Sequence, residues 1–461
     1  MAINAAIIVL LIGIPILVKL LADLRFGLYI IILISVAMPI ANRVLPGGYI
    51  PFGVFIDLLL LLIFGIIMAR SINNWIIDPD NYKLSNLSNP ISVLVMIWVA
   101  YWMIQVFNPA GTVGGWVYGI RSVIRMMIIY FIIQSLLNTP SHIKRFTDFF
   151  IIIGLLAGLY GIYQEFFGLP SFDMKWATAT EERIGLLYIG GKWRKFSFMT
   201  DPSAFGLFMA FISIMTAFLS IGPNSTRRRV FYLVTCIVCL MGMLYSGIRT
   251  AFAVVPVAVF LYVLLNINKT KTLAFAGFSA LFFVVIYFGP FYGKTIMRFR
   301  SAFNPGEDAS MQVRDVNRER IQPYIYDHPF GGGLTTTGSY GIRYSPGHPL
   351  AGFPPDSGFM KILLELGWVG LLLEMILFSV VLGIGISNYY ACSSEKTKAY
   401  MAAYIVGFFA MTIAYYAKKG VDQFPINFLL YSTFAIVRNL KFLEKEKSPP
   451  NYIENGERSK A

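Results

Sequence analysis

The chain predicts an all-α polytopic membrane protein with about 12–13 spanning helices and one large extracytoplasmic loop containing short helices. Three observations point there. First, 57% of the 461 residues are hydrophobic and only 13% are charged, where soluble domains carry about 25% charged residues; the mean hydropathy is +0.66. Second, apolar runs of roughly 18–20 residues recur, each long enough to cross a hydrocarbon core as a helix that satisfies its own backbone groups. Third, one polar interruption, 293–356, separates two such runs. It holds two of the three histidines, a row of arginines and Gly331, Gly332 and Gly333.

The runs fall at 3–21, 26–42, 51–69, 89–107, 118–138, 148–167, 202–222, 229–246, 249–266, 272–292, 358–388, 399–418 and 421–438. Residues 1–461 read as a single multi-spanning domain. The first run lacks a basic n-region and an A-x-A site, so no cleavable signal peptide is expected. Basic residues set the orientation. Lys19 and Arg25, Arg70 and Lys83, Lys144 and Arg145, Arg227–Arg229, Lys269 and Lys271, and Lys396 and Lys398 share one side with the tail 439–461. That side reads as cytoplasm, and the polar tail beyond Lys447 reads as disordered. Segments 41–51, 108–118, 168–201, 293–356 and 418–421 then face outward. The long outward loops are themselves basic, which long loops tolerate and which suits an anionic partner at that face. The net charge of +14 therefore reads as membrane topology rather than nucleic-acid binding. Cys236, Cys239 and Cys392 form no disulfide framework.

The candidate chemistry lies at the outer face. Arg249 sits in the tight turn Tyr245–Thr250 between two spans, where a charge is costly and commonly functional; snorkelling to headgroups is the plain alternative. Arg121 and Arg125 are one helical turn apart, so they repel unless an anion bridges them. Arg194 and Lys195 precede Asp201–Pro202, which reads as a helix cap followed by proline at the first position. Arg314, Asn317, Arg318 and Ile321 keep helical spacing, which predicts a short amphipathic helix ending before Pro323 or at Asp327–His328–Pro329. The three glycines allow close backbone approach and a phosphate cradle, but no Walker pattern follows them. His348 and Asp356 are each able to serve as base toward a hydroxyl; for Asp356 the competing role is helix N-cap. Glu365 lies in an apolar run and needs an arginine or a proton. No zinc spacing, Ser-His-Asp order or DxD pair appears, so neither metal nor cofactor is expected.

The order of these features resembles a known family. A Ser-x-x-Arg-Thr turn (Ser246, Arg249, Thr250) opens a span. A large loop follows, with Arg314 and Asp327–His328–Pro329–Phe330–Gly331–Gly332–Gly333. A polar pair then leads into Glu365–Leu366–Gly367–Trp368–Val369–Gly370. Over roughly 230–375 this is similar to the O-antigen ligase and O-antigen polymerase superfamily of bacterial inner-membrane glycosyltransferases. The resemblance implies a metal-independent, GT-C-like transferase. Such enzymes move a glycan from undecaprenyl pyrophosphate at the periplasmic face to a lipid A core or to another lipid-linked glycan. By position, Arg249 and Arg314 match the arginines that hold the pyrophosphate, with Arg194 third. Where the ligases carry a histidine before the Glu-x-Gly helix, this chain has Asp356–Ser357, so the base is Asp356 or a His348 reaching in from the loop. The alternative from another class is a transporter or flippase of an anionic lipid-linked glycan. That would place ionisable groups near mid-membrane and in repeat-related broken helices, whereas here they concentrate at the outer face.

Overall fold

The computed structural model describes residues 15, 18–44, 52–77, 88–301, 303, 309–355 and 357–445. The long helices are α1 (Leu24–Val44), α2 (Phe52–Ile77), α3 (Pro90–Ile104), α4 (Val113–Leu136) and α5 (Pro140–Phe166). The loop after α5 carries α6 (Ser171–Ala177), α7 (Glu181–Leu187) and the two-stranded hairpin β1 (Tyr188–Ile189) and β2 (Lys192–Trp193). Next come α8 (Pro202–Ile221), α9 (Thr226–Ser246), α10 (Arg249–Leu265) and α11 (Thr270–Phe288). The second long loop holds α12 (Lys294–Ser301), α13 (Ala309–Asp327) and α14 (Gly338–Tyr344). Then α15 (Gly358–Ala391), α16 (Glu395–Ala417) and α17 (Ile426–Lys445) close the chain.

Among the described residues ten helices are long and apolar enough to cross a membrane: α1 to α5, α8, α9, α11, α15 and α16. Adding the shorter α10 and the more polar α17 gives twelve, in keeping with the expected count; most of the 3–21 run lies outside the described residues. The chain is thus an all-α, multi-pass membrane protein.

Local signals start these helices where the sequence changes character. Asn89, Thr139 and Asp201 each accept a backbone N–H from the first turn and are each followed by proline, which lacks the N–H that a first helical position leaves unpaired. Asp201 is thus a cap, as its neighbours suggested: its Oδ1 accepts from Ser203 and Ala204 at 2.6 and 3.0 Å. α8 is the central post, buried on every side from Ala204 to Phe211, as an all-round apolar helix must be in a bundle. It packs against α5, α9, α10 and α16. Close approach there depends on small residues: a Cβ on Gly158 would lie 2.7 Å from Val238 of α9, and one on Gly161 would lie 2.4 Å from the Phe205 ring. α11 is almost wholly exposed, as a lipid-facing span would be.

The segments assigned outward gather at one end. Arg43 of α1 meets Asp173 of the first loop; Thr112 meets Ser345 of the second. Thr200 bonds Gln423, and a Cβ on Gly420 would touch Ser203. At the opposite end Arg25 contacts His142, and Lys269 pairs with Glu395. Each of these contacts joins segments that the charge pattern assigns to the same side.

Candidate active site

The second long loop is fixed to the bundle by a crossing of two backbones. Gly331, Gly332 and Gly333 pass over Glu365–Gly367, where α15 breaks: Gly367 has φ 68° and ψ −168°. Gly332 N–H donates to the Leu364 carbonyl at 2.8 Å, Gly333 N–H to the Glu365 carbonyl at 3.0 Å, and Trp368 N–H to the Pro329 carbonyl at 2.9 Å. A Cβ on Gly331 would lie 2.5 Å from the backbone of Glu365 to Gly367, so only glycine permits this contact. Gly331 N–H is also taken, by the His328 carbonyl at 2.9 Å. The glycine run therefore holds the loop against α15, and its amides are spent on protein carbonyls rather than on a phosphate. Asn108 adds a bond to the Gly331 carbonyl at 3.1 Å, and Tyr101 one to the Leu366 carbonyl at 2.7 Å.

Glu365 is buried, and among the described residues its side-chain partners are a threonine and a lysine. Thr337 Oγ1 donates to its Oε1 at 2.5 Å, and Lys361 Nζ lies 4.0 Å from its Oε2. Neither partner was evident in the sequence, since Thr337 is 28 residues away and Lys361 sits one turn earlier in an apolar helix. Asp356 lies outside the described residues. The cap of α15 is supplied by its neighbour: Ser357 Oγ accepts from Met360 N–H at 2.9 Å. α13 runs on through Pro323 and ends at Asp327, the later of the two ends expected. Arg314 is on this helix, with its side chain outside the described set. Arg318 lies 3.6 Å from Asp315 and over the Tyr416 ring.

A cleft of about 420 Å³ opens beside the crossing, lined by Ala110, Thr112, Tyr324, His328 and residues Ser345 to Pro349. His348 Nδ1 accepts Leu350 N–H at 3.1 Å. A neutral ring whose Nδ1 accepts must carry its proton on Nε2, which faces the Tyr324 hydroxyl at 3.3 Å. Burial and then the neighbouring His328 hold the His348 pKa below its ordinary value, partly offset by Glu365. Burial pushes the Tyr324 hydroxyl up to about 12, so it stays a protonated donor. His328 has the opposite tautomer: its Nδ1 is 2.9 Å from the Tyr324 carbonyl, which can only accept. Its Nε2 then keeps a lone pair.

Arg249 opens α10 two residues after Gly247, whose φ is 64°. Ser246 Oγ accepts Ile248 N–H and donates to the Met243 carbonyl, and it presses on Gly206 of α8. This seats the turn on the central post. The first loop reaches the same turn: Lys195 N–H donates to the Tyr245 carbonyl at 3.2 Å, so the Arg194–Lys195 segment and the Arg249 turn are brought together. Lys195 Nζ also meets Glu165 at 3.3 Å. Arg121 and Arg125 are elsewhere, and the anion that bridges them is in the chain itself. Asp57 of α2 accepts from both, with contacts of 2.6–3.1 Å. Asp57 escaped notice because it stands alone in an apolar run far from either arginine in sequence.

Among the described residues no group of three or more His, Cys, Asp or Glu side chains could hold a metal ion. Two comparisons bear on these features. A family model described as O-Antigen ligase matches residues 234–375, from α9 through the crossing into α15. The resemblance read from the sequence over roughly 230–375 is thus borne out over nearly the same span. No curated protein matches the chain.

Proposed function

We propose that this protein, whose residues 234–375 match a family model described as O-Antigen ligase, transfers a glycan from an undecaprenyl-pyrophosphate-linked donor to an acceptor hydroxyl. It does so at the periplasmic face of a bacterial inner membrane. The observation that carries the reading is the junction of the Arg194–Lys195 segment with the Arg249 turn through the Tyr245 carbonyl. It puts cationic segments from two loops at the loop-bearing end of a membrane bundle, where a lipid-linked pyrophosphate would present its charge.

In this reading Arg249, Arg314 and Arg194 hold the pyrophosphate, with Arg318 farther along α13. The acceptor oxygen attacks the anomeric carbon and forms the new glycosidic C–O bond. The anomeric carbon–oxygen bond to phosphate breaks, and its electron pair leaves with the pyrophosphate. Arginine hydrogen bonds stabilise that growing charge without a metal. Asp356 takes the hydroxyl proton. Two features support Asp356 over His348: Ser357 already fills the cap position, and the His348 lone pair on Nδ1 is committed to Leu350. Arg121 and Arg125, neutralised in part by Asp57, line the same end as outlying contacts. Glu365 positions Lys361 and Thr337 behind the loop.

The test is transfer by the purified protein in nanodiscs, supplied with lipid-linked oligosaccharide and either a lipid A core or a second lipid-linked chain. The product on one acceptor or the other reads ligation or polymerisation. Arg249→Ala and Arg314→Ala should each lower kcat/KM by about a hundredfold or more, with protein yield unchanged. Wild-type turnover in either variant removes that arginine. Translocation of the lipid across vesicles with no transfer overturns the whole reading.

A further inference from the structure

Among the described residues, the lining of the cleft beside the glycine crossing includes none of the groups assigned above to the transfer step, and it includes no arginine or lysine. As neutral rings its two imidazoles take opposite tautomers. His348 carries its proton on Nε2, where it meets the Tyr324 hydroxyl at 3.3 Å, because Leu350 N–H occupies Nδ1. His328 presents an Nε2 lone pair, because the Tyr324 carbonyl takes its Nδ1 proton. With the Tyr324, Thr112 and Ser345 hydroxyls, the lining residues include both donors and acceptors, as neighbouring sugar hydroxyls require.

Flat apolar faces stand next to this polar set. The Tyr324 and His328 rings stack with centroids 3.9 Å apart and 8° between planes. Just outside, Tyr118 stacks with Tyr344 at 5.1 Å and lies 4.8 Å from Tyr340; this group is joined to the cleft because Thr112 Oγ1 donates to the Tyr344 carbonyl at 3.0 Å. Ring faces of this kind bury the C–H faces of sugars at small entropic cost. The cleft also stands apart from the arginine turn. Its lining comes from the α3–α4 turn, α13 with His328 just after it, and the segment Ser345 to Pro349, and includes no residue of the Tyr245–Thr250 turn.

We propose that this cleft is a saccharide subsite, which binds a sugar unit of the growing glycan away from the pyrophosphate. His348 and Tyr324 act there as positioning residues and not as acid or base. The proposal rests on the transfer reading above. The sugar belongs either to the donor chain or to the acceptor, and the kinetics separate the two.

The variants are chosen to keep the fold. His348→Asn keeps an acceptor for Leu350 N–H and removes the Nε2 donor. Tyr324→Phe keeps the ring stack and removes the hydroxyl. Gly332→Ala removes neither polar group but crowds both, placing a Cβ 2.5 Å from the Tyr324 hydroxyl and 2.8 Å from His348 Cε1. Each should raise KM for one substrate by about tenfold while kcat stays within about threefold. A rise for the acceptor assigns the sugar to the acceptor; a rise for the donor assigns it to the donor chain. In parallel, saturation-transfer NMR follows binding of the free oligosaccharide released from the donor by mild acid. Binding should be saturable in the wild type, weakened in the three variants and retained in Arg249→Ala. Unchanged KM for both substrates with unchanged oligosaccharide binding in all three variants overturns the subsite. So does a His348→Asn enzyme that loses kcat together with the acid limb of its pH profile, because His348 would then be the base. Absence of transfer by the wild type, with the oligosaccharide still bound in the cleft, overturns the transfer reading and leaves the subsite standing.

Discussion

Protonation of His348 would deprive Leu350 N–H of its acceptor, and burial already resists that charge. The folded pKa is below the ordinary imidazole value, so the unfolded chain takes up the proton first as pH falls. Stability from this group is therefore complete above the ordinary imidazole range, is lost as pH drops through it, and is gone below the folded value. Melting temperatures followed from about pH 7.5 to about pH 5 should fall in the wild type, and the slope should be shallower in His348→Asn. Equal slopes would place the acid sensitivity elsewhere. The sequence showed which single residues were worth attention: Arg249 and Glu365 are charged groups at or inside apolar stretches, where their cost marks them, and His348 is an imidazole in the polar interruption between spans. It did not show their partners. Asp57, Thr337 and Leu350 N–H become neighbours only through tertiary packing, and no spacing along the chain announces them.

The spans were readable because lipid demands long apolar helices whatever their neighbours. The run expected at 249–266 is α10, Arg249–Leu265, and that at 202–222 is α8, Pro202–Ile221. The break in α15 was not readable. Leu364–Glu365–Leu366–Gly367–Trp368 reads as unbroken apolar helix, and the positive φ at Gly367 arises from the chain that crosses it. For the same reason Gly331–Gly333 suggested a phosphate cradle, although two of its amides meet carbonyls of α15 and the third meets that of His328. Alanine at Gly367 would have to hold a left-handed conformation with its Cβ 2.0 Å from the Pro329 carbonyl oxygen. The conformation costs about 1–3 kcal/mol and the overlap adds to it. Gly367→Ala should therefore lower the melting temperature and abolish transfer together, as thermal unfolding in detergent would show. A wild-type melt would mean that the crossing is not needed for the fold.

The whole bundle is closed at its loop-bearing end by a buried ion pair that ties α1 to the first loop. Arg43 and Asp173 meet at 2.9 Å with side chains 1% and 0% exposed. Tyr160 and Gln164 of α5 complete the carboxylate at 2.8 Å each, and the Ser197 carbonyl takes Arg43 at 2.8 Å. Asp173→Asn would leave a buried guanidinium without its counter-charge, at a cost of about 3–5 kcal/mol. Denaturation of that variant should occur earlier than in the wild type, and an unchanged midpoint would deny the pair its role. The 130 residues between the partners kept this tie out of sight in the sequence. The crossing at Gly331–Gly333 has one more consequence, for exchange of parts between related enzymes. Pro329 to Trp368 is a single inheritable piece, because each side of the crossing supplies bonds to the other. A graft cut at the apparent loop boundary near 356 would separate the glycines from the break they fit, and the recipient would receive the loop's residues without the means of aiming them.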